Sequence, residues 1–107
     1  MKQIKCNDFE KEVIKNEKTV IVLFTNDWSG SAILLRGSLS ALQKKWSKTF
    51  HFVEVLKDEC LKIGEKYNIQ NVPTILIFNN GIDVEKISGV PSKSTIENVL
   101  QKLDTAP

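Results

Sequence analysis

The run Thr19-Val20-Ile21-Val22-Leu23-Phe24-Thr25 constrains the fold more than any other stretch. It is short, apolar and rich in β-branched side chains, which predicts a strand buried on both faces. Asn26-Asp27-Trp28-Ser29-Gly30-Ser31 breaks that pattern and supplies helix-capping side chains, of which Ser29 is the expected cap. Beyond it, Leu35, Leu39, Leu42 and Trp46 recur at helical spacing and predict one apolar stripe on a helix from Ala32 to Trp46. A strand that ends in a turn at a helix N-terminus is where α/β proteins place chemistry.

The remaining elements fall on either side of this unit. Lys2 to Lys5 reads as a short edge strand. Asn7-Asp8-Phe9-Glu10 has the form of a capping box, with Asn7 as cap and Glu10 reaching back, ahead of a helix ending near Lys15. Gly37 interrupts the long helix and predicts a bend or a close packing contact there. Thr49 to Leu56 reads as a strand, and Asp58-Glu59 opens a third helix carrying Leu61, Ile63 and Tyr67. Val72-Pro73 leads into a strand from Thr74 to Phe78. Asn79-Asn80-Gly81 is a hairpin signal, followed by a return strand from Asp83 to Ser88. Ser92 caps a last helix with Ile96, Val99, Leu100 and Leu103. The order β-α-β-α-β-α-β-β-α predicts an α/β domain over residues 1–107: a mixed central sheet of about five strands flanked by four helices.

Composition narrows the function classes. A net charge of +2 is too small to argue for nucleic acid or a membrane surface, and Lys and Glu are dispersed along the helices as solvated faces. No run approaches the ~18 apolar residues of a membrane span, and Met1 to Asn7 contains no apolar signal core, so a cytoplasmic protein is expected. Cys6 and Cys60 make neither a disulfide framework nor a metal site. They read as two reduced thiols. A disulfide between them is the alternative, because Cys6 would lie beside the strand that precedes Cys60. His51 reads as structural, and no metal or cofactor is expected.

Two local marks, set in this element order, resemble the thioredoxin family. The first is Val20-Ile21-Val22-Leu23-Phe24 leading into Trp28-Ser29-Gly30-Ser31-Ala32, where the family has Trp-Cys-Gly-Pro-Cys. The second is Asn71-Val72-Pro73-Thr74-Ile75-Leu76-Ile77-Phe78-Asn79-Asn80-Gly81, similar to the family's cis-proline strand and hairpin. Lys57-Asp58-Glu59-Cys60 and Ile87-Ser88-Gly89 also match, and the likeness runs from about Ile4 to Leu103. The resemblance implies a thioredoxin fold. Thioredoxin chemistry uses a thiolate at the helix start and a second thiol to resolve the mixed disulfide.

Here those two positions are Ser29 and Ala32, and the family's buried acid falls on Leu23. With no motif sulfur, no catalytic residue is expected. The expectation is a redox-inactive module that binds a protein or extended peptide on a surface of Trp28, Gly30, Ser31, Ile33, Val72, cis-Pro73, Gly89 and Val90. Such a module would be a monomer or weak dimer without nucleic-acid or membrane partners. The alternative is a thiol-disulfide oxidoreductase acting through Cys60 or Cys6. A further possibility is a small thiol such as glutathione held beside Pro73 without turnover.

Overall fold

The computed structural model describes residues 1–26 and 30–105. Strands β1 (Lys2–Gln3), β2 (Thr19–Thr25), β3 (Phe50–Leu56), β4 (Thr74–Asn79) and β5 (Ile82–Ser88) form one sheet in the order β1-β3-β2-β4-β5. β3 runs parallel to both β1 and β2, whereas β4 is antiparallel to β2 and to β5. Helices α1 (Ser31–Trp46), α2 (Leu61–Lys66) and α3 (Lys93–Thr105) complete the order. This is the mixed, helix-flanked sheet that the resemblance implies.

β2 is the middle of the molecule, and residues 20–25 are all buried. Its side chains alternate between two cores, as a period of two requires. Val20, Val22 and Phe24 join Phe9, Val13, Val53, Val55 and Phe78 on one face. Ile21 and Leu23 join Leu35, Leu39, Leu42, Ile96 and Leu100 on the other. The first face is covered by the connections from β1 to β2 and from β3 to β4, and the second by α1 and α3. Phe78 anchors the first core: Phe9 and Tyr67 meet it edge-on, with ring centroids 5.6 and 5.0 Å away. Across the second, Glu97 of α3 pairs with Lys45 and accepts a 3.0 Å hydrogen bond from Trp46 Nε1, tying α3 to the end of α1.

The hairpin forms as its sequence predicts. Asn80 and Gly81 have φ of 53° and 79°, the left-handed pair that a tight two-residue turn demands. A Cβ at Gly81 would stand 3.0 Å from the carbonyl oxygen of Ile14, so glycine is required there for space as well as conformation. Ser92 caps α3, accepting from the Thr95 amide at 3.2 Å.

Several local expectations are corrected. The capping box does not form. The Asp8 amide bonds to the Lys5 carbonyl at 2.9 Å, so the chain turns earlier, and Asn7 lies inside a 3₁₀ turn, Cys6–Asp8, followed by a π-helical turn, Glu10–Ile14. Asp58 and Glu59 belong to a separate 3₁₀ turn, Lys57–Glu59. Cys60 then leaves the helical region (φ −141°, ψ 50°), and α2 starts only at Leu61. The close packing contact expected at Gly37 is absent: α1 continues through it, and a Cβ there would meet nothing within 4 Å.

One buried charge went unnoticed in the sequence. Glu54 of β3 is 5% exposed and stands opposite Leu23. Its carboxylate accepts from Thr25 Oγ1 at 2.6 Å and from Arg36 Nη2 and Nε at 2.6 and 3.0 Å. Leu23 is fully buried, so the acid position of the family is apolar, as read. A paired carboxylate occupies the neighbouring strand instead. Replacing Arg36 with Met leaves that buried carboxylate its Thr25 hydrogen bond but removes the guanidinium that pairs with it. Because the Arg36 side chain is 37% exposed, the cost falls below the buried-pair range, at about 1–3 kcal/mol in urea unfolding.

A second charged cluster gives the acid limb of stability. The contact with His51 Nε2 at 3.1 Å holds the Glu12 carboxyl below its ordinary value of 4.5, against the opposing effect of burial, and Lys2 at 3.3 Å adds to the lowering. A carboxyl lowered on folding stabilises above its unfolded value and loses that contribution as pH falls through the folded value. Between pH 5 and 2, Glu12→Gln is therefore expected to lose less stability than the unmodified chain.

Candidate functional site: a disulfide at the carboxyl end of the sheet

Parallel pairing of β1 with β3 decides where the two cysteines go. Gln3 lies beside Glu54, and the Ile4 amide continues the pairing to the Glu54 carbonyl at 2.9 Å. Both strands therefore end at the same edge, and each leads straight to a cysteine. Cys6 opens the first 3₁₀ turn, and Cys60 closes the segment after β3. The next connections cover the same face of the sheet, so the two side chains meet.

They are joined: Cys6 and Cys60 form a disulfide, with an S–S distance of 2.08 Å and Cα atoms 5.3 Å apart, inside the usual range for a bridge. The expectation of two reduced thiols is corrected. Its reason was spacing, since a separation of 54 residues carries no framework pattern. The usable signal was the position of each cysteine just beyond one of two neighbouring parallel strands.

The two sulfur-bearing residues are not equivalent. Cys60 is 2% exposed and packs into the core around Phe9, with its backbone N–H bonded to the Lys57 carbonyl at 2.9 Å. Cys6 is only half-buried. A crevice of about 390 Å³ opens beside the bridge, walled by the Lys5–Asn7 segment on one side and by Leu56, Glu59 and Cys60 on the other. Such a site can do thiol-disulfide exchange. It offers one half-buried cysteine, one buried cysteine and a space beside them for an entering group.

The other sequence-predicted positions fall at the same end of the sheet. The Val72–Pro73 peptide is cis, as the resemblance implies. The Gly89 amide donates to the Pro73 carbonyl at 3.0 Å, which brings Val72, Pro73, Gly89 and Val90 together at the start of β4. Pro73 is buried, Val72 half-buried and Val90 exposed. Gly30, Ser31 and Ile33 are exposed at the start of α1, while Ala32 is buried beneath them. Trp28 and Ser29 lie outside the described residues, and so does the expected Ser29 cap. Among the described residues, no group of three or more His, Cys, Asp or Glu side chains could hold a metal ion. Nor is any helix there long and apolar enough to cross a membrane.

The thioredoxin family model matches residues 1–102. The chain is 30% identical over 100 residues to a thioredoxin of Porphyra purpurea, covering 94% of each chain. It is 29% identical over 94 residues to thioredoxin 1 of Synechococcus elongatus, covering 88% of each. A thioredoxin of Echinococcus granulosus is 30% identical over 94 residues, covering 88% of this chain and 86% of the relative.

These findings overturn the redox-inactive expectation. The motif positions Ser29 and Ala32 carry no sulfur, but a cysteine pair is present and joined elsewhere on the sheet, and the relatives are thioredoxins. The error lay in equating the motif with the chemistry. The bridge also makes a stability prediction. Closing a loop of this length removes unfolded-state entropy, so Cys6→Ser is expected to cost about 2–4 kcal/mol against the oxidised chain. In urea titrations, reductant should shift the midpoint of the unmodified chain and leave that of Cys6→Ser in place.

Proposed function

Because the chain belongs to the thioredoxin family, we propose that it is a thiol-disulfide oxidoreductase whose redox couple is Cys6 and Cys60. The observation that carries the proposal is the bridge itself, with its half-buried sulfur residue beside a crevice and its partner in the core.

In the reduced protein the Cys6 thiolate attacks a substrate disulfide, forms a mixed disulfide and expels one substrate thiolate. Cys60, as thiolate, then attacks Cys6 Sγ, re-forms the bridge and expels the second. The substrate gains two electrons and, at neutral pH, two protons; the protein loses the same.

The substrate class is a protein or an extended peptide. The Val72–Pro73 backbone stands at the same sheet end as the bridge. Three strand spacings, roughly 14 Å, separate β1, which leads to Cys6, from β4 in the sheet order, within reach of one extended segment. A cytoplasmic location fits this chemistry, because cytosolic disulfides are commonly transient and catalytic rather than structural. The protein works as a monomer or weak dimer, with neither nucleic acid nor membrane as partner.

Insulin reduction driven by dithiothreitol tests the proposal. Turnover is expected for the unmodified chain, falling to the dithiothreitol background in Cys6→Ser and in Cys60→Ser. Turnover that survives in both variants, or none in the unmodified chain, overturns it.

A further inference from the structure

An oxidised couple must be reduced again, and the crevice restricts what can do so. We infer, resting on the Cys6–Cys60 reading above, that the crevice docks a small zwitterionic thiol, which reduces the bridge by attacking Cys6. Both cysteines line the crevice, but Cys60 is 2% exposed and Cys6 half-buried, so Cys6 is the more open of the two to an entering sulfur. A volume of about 390 Å³ lies at the lower end of small-molecule sites and is of a size to hold a short peptide.

The lining sets the chemistry of the occupant. Lys5 lines the crevice from the β1 side and Glu59 from the β3 side, so residues of opposite charge contribute to its two walls. Gln3 and Asn7 add neutral polar groups, and Ile4 and Val55 form an apolar floor. A ligand carrying a carboxylate, an ammonium group and a thiol on a short stem satisfies all three. A neutral thiol satisfies only the floor. Cysteine-containing amino acids and short peptides have that combination.

The electron count closes without another reagent. A first thiolate RS⁻ attacks Cys6 Sγ, forms R–S–S–Cys6 and releases the Cys60 thiolate. A second RS⁻ attacks the R sulfur, releases the Cys6 thiolate and leaves as RSSR. Two thiols are oxidised to one disulfide, and the bridge takes up their two electrons and two protons.

The test measures reduction of the oxidised full chain by glutathione and by N-acetylcysteine amide, a neutral thiol, with rates compared per thiolate. Glutathione is expected to be the faster. Lys5→Glu should slow glutathione by about 2- to 5-fold more than it slows the neutral thiol. Lys11→Glu makes the same charge change on the exposed first connection and should alter the ratio little. In Cys60→Ser, oxidised glutathione should add to Cys6, seen as a mass increase on the peptide bearing it.

Equal rates for the two thiols, or equal effects of Lys5→Glu and Lys11→Glu, overturn the inference. A glutathione advantage that survives when a longer cysteine peptide with blocked termini reacts as fast also overturns it, since charge then selects nothing. The two proposals fail separately. If insulin turnover requires both cysteines but glutathione has no advantage, the crevice inference falls alone. If insulin turnover is independent of the cysteines, the redox reading falls with it.

Discussion

The seven-residue parallel pairing between β2 and β3, from Thr19 beside Phe50 to Thr25 beside Leu56, is the constraint on which the other features depend. It sets β3 as the bed for β1, and so delivers Cys6 and Cys60 to one edge. It also places Glu54 opposite Leu23, beneath α1, where Arg36 reaches it. Neither feature is local in the chain. Both come from the choice of neighbours within a sheet, which a twisted, doubly covered arrangement fixes for every strand at once.

That dependence explains what could be read in advance. β2, the hairpin at Asn80-Gly81 and the Ser92 cap were legible because each is encoded within a few residues: burial pattern, turn conformation, cap chemistry. The cis bond before Pro73 was legible only through the family resemblance. The bridge was legible only as the lesser alternative, because its signal depends on β1 and β3 being neighbours, which spacing along the chain does not show. Glu54 shares the buried face of Phe50 and Phe52 by its spacing of two, but nothing nearby in the chain reveals the Thr25 and Arg36 groups that pair with it. Its partner Arg36 lies on a helix whose apolar stripe drew attention to the other residues.

The functional misreading has a different origin. Ser29 and Ala32 remove sulfur from the family's motif, and that absence was extended to the whole molecule. Thiol-disulfide chemistry needs a reachable sulfur, a second one within bonding distance and room for the entering group; it does not need a particular loop. Cys6, Cys60 and the adjoining crevice meet those needs on the opposite flank from β5, over the face that α1 does not cover.

The exposed outer margin of β5 has a consequence for self-association. Ile82 and Val84 are 65% and 45% exposed on an unpaired strand, a ready template for a second copy. A two-fold extension of the sheet keeps its faces aligned, so only some alignments are open. Centring on Asp83, Glu85 or Lys86 sets that residue against itself, and centring on Val84 sets Asp83 against Glu85. Those four alignments put like charge beside like charge, which is destabilising across paired strands, whereas centring on Ile82 or Ile87 opposes no like charges. Repulsion among Asp83, Glu85 and Lys86 thus disfavours the central registers of this margin against its own duplicate and leaves only the end-shifted ones.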